Sequence, residues 1–215
     1  MRSIISNLRV MNDLLQSRAP ALKKAVVSRV WCVAAALLLV GAVAAPQSAQ
    51  AQERTLGEGT IGPGIHLVFE AAPKDDVTPY EQHLAEDKTD VHIEVLTTWS
   101  EDSDVEVPEG VQRGGFVGFL HFFATITNET TGAAETVELT PHVTLGDAMH
   151  YARNVSLPGS PDDTYSVTFT VQPPGERELA FHESWREAHG QPLFEATTFT
   201  YEGLDLAEVA AATRP

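Results

Sequence analysis

The chain has 215 residues, a formal net charge of −16 and 43% hydrophobic residues. One Cys excludes a disulfide scaffold, and the acidity excludes nucleic acid as a partner, because phosphate binding needs a basic face. The composition also excludes a disordered, collagenous, coiled-coil or polytopic membrane chain.

In chain order, the first segment is basic. Arg2, Arg9, Arg18, Lys23, Lys24 and Arg29 face a single acid, Asp13. An unbroken apolar run follows from Val30 to Ala45, Pro46 ends it, and Ala49-Gln50-Ala51 comes next. A basic region, a short apolar core and an A-x-A sequence mark a secretory signal peptide. The expected organisation is a signal over 1–51, cleaved after Ala51, and a single exported domain over 52–215. The run is 16 residues, shorter than the roughly 20 that a spanning helix needs. Cys32 follows Arg29-Val30-Trp31, which is no lipobox. Six of the 14 basic residues and one of the 30 acids lie in the signal, leaving 8 bases and 29 acids, a net charge of −21. Such a surface stays soluble in salt and draws cations.

The exported part alternates with a period of two. Ile65–Glu70 (IHLVFE) and Val91–Trp99 (VHIEVLTTW) read as strands, and residues 100–112 as an exposed acidic loop. Phe116–Asn128 (FVGFLHFFATITN) reads as a long central strand. Thr136–Thr144 contains Pro141, which marks an edge or a bend. Tyr165–Val171 and Ala196–Tyr201 alternate cleanly, and Ala207–Pro215 reads as a frayed tail. Turn signals separate them at Pro73–Asp76, Glu129–Gly132, Pro158–Pro161 and Pro173–Gly175. About seven strands without a βαβ pattern predict an all-β, immunoglobulin-like antiparallel β-sandwich.

No nucleophile elbow, phosphate loop or H-E-x-x-H occurs. All eight His lie beyond the signal, with one Met, Met149, and no Cys. A metal site in such a chain must use imidazole, carboxylate or thioether. On a strand, His92 and Glu94 share one face, and Val91, Ile93 and Val95 share the other. Such a pair ligates one ion, or the Glu orients the His; an ordinary half-exposed strand presents the same pattern. His142 and His150 flank a seven-residue loop containing Asp147, short enough to bring both to one centre. His182 is a weaker candidate, with His189 as its rival. His121 reads as a hydrogen-bonded core residue, and His66 and His83 carry no signal. Asn128-Glu129-Thr130 and Asn154-Val155-Ser156 are formal glycosylation sequons.

These pieces, in this order, resemble the periplasmic iron-uptake and copper-binding proteins of the FetP/ChpA group, the Fe2+ transport protein family. The family pattern runs A-D-(I/V)-H-L-E-A, an aromatic strand ending in N-x-D/x-T-G, M-P-M, S-D-G-P-H-Y-G and K-Y-x-V-T-x-H-I-x-P-P. This chain has Thr89–Glu94, Phe116–Gly132, Thr140-Pro141-His142, Gly146–Tyr151, and Thr164–Phe169 before Gln172-Pro173-Pro174. The resemblance spans roughly residues 62–203.

It implies a metal centre of His92, Glu94, His142, Asp147, His150 and His182. His92, His150 and His182 match the copper-ligating imidazoles, and Glu94 an auxiliary carboxylate. Asp147 matches a loop carboxylate of a second, iron-related site. His142 stands where the family has a Met, and the loop is one residue longer, placing Met149 beside His150. Thioether favours Cu(I), whereas imidazole favours Cu(II), zinc and other borderline ions. The resemblance further implies bound copper and/or iron, a homodimer with sites near its interface, and an inner-membrane iron permease as partner. The function so implied is periplasmic metal binding in support of iron uptake, without enzymatic activity. Two other classes fit the residues alone: a copper or zinc β-sandwich enzyme, and a metal-free adhesion domain with scattered His. A reference imidazole pKa of about 6.5 predicts weaker metal binding as pH falls toward 6.

Overall fold

The computed structural model describes residues 53–214; the expected signal peptide lies outside them. Eight strands form: β1 (Arg54–Ile61), β2 (Ile65–Pro73), β3 (Val91–Trp99), β4 (His121–Asn128), β5 (Ala134–His142), β6 (His150–Val155), β7 (Thr164–Gln172) and β8 (Thr197–Asp205). Two short α-helices are present, α1 (Glu183–His189) between β7 and β8 and α2 (Ala207–Ala211) after β8. All pairings are antiparallel, in the order β1-β2-β3-β6-β5-β4-β7-β8. Among the described residues no helix is long and apolar enough to cross a membrane.

β5 joins the two halves of this sheet. Its residues Ala134–Leu139 pair with β4, and Thr140–His142 pair with β6. Pro141 lies past the last β4 pairing, where β5 has one neighbour. A residue with no N–H to donate is tolerated there, as its sequence context predicts. The halves face each other across the apolar core. Phe69 of β2 meets Phe169 of β7 at 4.6 Å between ring centroids, although these strands are not neighbours. Phe122 of β4 meets Tyr151 of β6 at 4.8 Å. The sheet's edge strands also meet, because Gly57 and Gly59 of β1 lie against the rings of Tyr201 and Phe199 of β8. A side chain at either glycine would strike a ring.

The all-β antiparallel expectation holds, with specific departures. β1 was not expected: its Gly57 and Gly59 break the apolar alternation. It turns into β2 through Gly62 and Gly64 at φ 48° and 82°, which suit glycine. β6 was not expected as a strand; only its first residues were singled out, with His150 flanking the seven-residue loop. β4 starts at His121, not at Phe116. Residues 116–120 stay irregular because the buried Tyr151 hydroxyl accepts from the Leu120 N–H (3.1 Å) and donates to the Val117 carbonyl (3.4 Å). The C-terminal tail is not frayed at Ala207–Ala211, where Val209 is buried against the core. Both sequon asparagines are fully buried, and their amides donate within the protein.

Candidate metal centre

Register builds the site. β3 pairs with β6 so that His92 opposes Asn154 and Glu94 opposes Ala152. β5 pairs with β6 so that His142 directly opposes His150. Cross-strand partners point to one face of a sheet. His92, Glu94, His142, His150 and Asn154 therefore share the face opposite to Val91, Ile93 and Val95, which enter the core. Ala72 and Ala152 occupy this face beside them and leave room.

The face is not solvated. The segment between β2 and β3 covers it, held by Asn154, whose amide donates to the carbonyls of Asp75 (2.7 Å) and Leu84 (3.0 Å). His92 is 1% exposed, Glu94 0%, His150 4% and His142 9%. One ring nitrogen from each of His92, His142 and His150 lies within 4.8 Å of the others.

The hydrogen bonds assign the tautomers. Because both Asn154 amide contacts are donations, its Oδ1 faces His92 Nδ1 at 2.7 Å as an acceptor. His92 therefore carries its proton on Nδ1 and keeps a lone pair on Nε2. His150 Nδ1 donates to the Ala148 carbonyl at 2.8 Å, leaving its Nε2 lone pair free as well. His142 Nε2 is buried without a partner. Buried polar atoms without partners are rare and costly.

Glu94 completes the group. Its Oε2 lies 3.5 Å from His150 Nε2 and 3.8 Å from His92 Nε2, and neither carboxylate oxygen has a hydrogen bond. Burial pushes the Glu94 carboxyl up to about 8, and lowers His92 to about 4 and His142 to about 3. All three are therefore neutral at pH 7, and the Glu94–His92 contact is not an ion pair. Three imidazoles beside a neutral carboxyl fit a borderline divalent or cuprous ion, which would displace the carboxyl proton.

The remaining expected residues lie differently. Asp147 is exposed on the hairpin loop, 3.9 Å from His150 Nδ1, beyond hydrogen-bond distance. Met149 is 40% exposed. His182 does not join the group; it lies at the head of α1, lining an aromatic groove of about 640 Å³ with Trp99, Phe119, Trp185 and His189. His121 is one-third exposed and bonds Glu178 at 2.8 Å, so it is not a core residue. One member was not foreseen: Asn154 was visible only as a sequon. On the far side, Glu53 and Glu70 approach Glu94, and the Arg214 guanidinium lies 3.6 Å from Glu53 and 3.9 Å from Glu94.

The family model described as Fe2+ transport protein matches residues 50–205. The chain belongs to the Fe2+ transport protein family. Its fold is similar to that of FetP from uropathogenic Escherichia coli strain F11, at 24% identity and a TM-score of 0.56, over 71% of this chain and 95% of that one. A copper-bound variant of that FetP matches at 23% identity and 0.56, over 71% and 99% of the two chains. Copper-reconstituted P19 from Campylobacter jejuni matches at 23% identity and 0.53, over 68% and 94%. No curated protein sequence matches the chain.

Proposed function

We propose that this protein is a periplasmic metal-binding protein that holds copper, with zinc and iron as further candidates, in support of iron uptake. The observation that carries the reading is the convergence of ring nitrogens from the buried His92, His142 and His150, with His142 Nε2 left without a partner. Glu94 is the auxiliary carboxylate. The family's iron-transport description and the copper in FetP and P19 support the choice of ions. The reading is of a carrier rather than an enzyme, and its functional partner is an inner-membrane iron permease.

Export follows cleavage after Ala51, releasing a single domain over 52–215. The two facing halves of the sheet are taken as an immunoglobulin-like sandwich that forms a homodimer. His182, remote from the three imidazoles of its own chain, joins a metal site only if a second copy brings it. The test is titration of untagged exported protein with Cu(II), Cu(I) and Zn(II). One tight ion per chain is expected in the wild type, with none in His92→Ala. Tight binding that survives His92→Ala ends the reading.

A further inference from the structure

One buried imidazole near the site has no role so far. His83 is 4% exposed, and its Nδ1 is sealed from solvent without a hydrogen-bond partner. Its Nε2 faces Thr140 Oγ1 at 3.4 Å. With the proton on Nε2, toward that hydroxyl, Nδ1 carries a free lone pair. The ring stands edge-on to His142, with centroids 4.8 Å apart and 76° between planes. His142 Nε2 is also buried and unpartnered. Two touching imidazoles could satisfy each other through an N–H···N bond, yet neither atom is bonded. A cation drawn between them would satisfy both.

The backbone supports this placement. His83 closes a turn in which its N–H donates to the Pro79 carbonyl at 3.1 Å. Asn154 grips the next residue, Leu84, through the same amide group whose oxygen orients His92. The covering segment and the His92 ring are thus tied to one side chain. His83 stands outside the three nitrogens that already lie within 4.8 Å of one another. It would reach the ion from the His142 side, by a turn of its ring.

We propose that His83 is a fourth imidazole ligand of the same ion, so that one chain completes the centre without a second copy. This rests on the reading of His92, His142 and His150 as a metal site. The ion class is Cu(II) or zinc, for which imidazole is a suitable donor.

The test loads full exported protein with Cu(II) and counts coordinated imidazoles by pulsed electron paramagnetic resonance. Four are expected in the wild type and three in His83→Ala and His83→Gln, with Cu(II) bound at least about tenfold more weakly, since even outer-shell partners cost that much. Free imidazole should restore the fourth signal in His83→Ala, which a packing role would not allow. His66→Ala, a surface control, should match the wild type. A wild-type count of three overturns the proposal whether or not any variant folds. So does a fourth imidazole that survives in His83→Gln or disappears in His182→Ala. No Cu(II) binding by the wild type would end both this proposal and the metal-site reading; one bound ion with unchanged His83 variants ends the proposal alone.

Discussion

An imidazole can present one nitrogen to a metal only when the other is fixed, and Asn154 does this for His92. Its two amide donations leave its oxygen no role but acceptor. Asn154→Leu should therefore free the His92 tautomer and loosen the covering segment. The expected result is a loss of about 10–100-fold in Zn(II) affinity, read by competition with a chromophoric chelator. Unchanged affinity would remove the orienting role. The pH dependence also belongs to single residues. The depressed His92 and His142 values, about 4 and about 3, keep both rings deprotonated well below the reference pKa. Protonation of these two rings should then not weaken metal binding at pH 5.5, against the sequence-based expectation of marked loss there, whereas loss that tracks the displaced Glu94 proton should begin below about pH 8 in a metal titration against pH. For metal-free protein the two signs oppose. The unfolded chain takes up His protons from about pH 6.5 downward while the folded one does not, so acid destabilises. Glu94, raised to about 8, contributes stability that is complete below about pH 4.5 and lost as pH rises through 8. Melting temperatures of metal-free protein should fall between pH 6 and 8, and Glu94→Gln should flatten that fall. Equal slopes in both proteins would mean that Glu94 is not the group.

At the scale of elements, the site is a matter of register. His142 and His150 meet because they close the β5–β6 hairpin as direct partners. One Ala inserted between Leu139 and Thr140 would move His142 to the opposite face, since side chains alternate with a period of two. Metal binding should be lost while far-ultraviolet circular dichroism keeps its β signature. Retained binding would show that His142 is dispensable. The same periodicity explains what could be read from sequence. β2, β3, β7 and β8 alternate apolar and polar residues and were legible. β3 was also correct in its faces, although its polar face proved covered rather than wet. β6 was not legible, because Tyr151, Ala152 and Arg153 break the alternation that places His150 and Asn154 together. His83 was invisible for a different reason. Its burial is set by a covering loop that has no period at all. The fourth imidazole sought by resemblance, His182, instead heads an exposed helix.

For the whole molecule, charge is the dominant long-range term. The exported part carries 29 acids against 8 bases. Part of this charge is local, where Glu53 and Glu70 approach the neutral Glu94 carboxyl and the Arg214 guanidinium lies 3.6 Å from Glu53. The rest is spread over the surface and opposes the compact state. Screening should relieve it. The Debye length falls from about 30 Å at 0.01 M salt to about 3 Å at 1 M, so surface repulsion at low salt reaches across much of the domain. The melting temperature of metal-free protein should therefore rise steadily from 0.01 to 1 M sodium chloride, by about 2–4 °C for each kcal/mol relieved in a domain of this size. Chloride is the right counter-ion for this measurement, because sulfate strengthens apolar burial on its own. A flat or falling melting temperature would mean that the acidic surface is already balanced by bound cations or by local pairing, and the excess charge would then carry no stability cost.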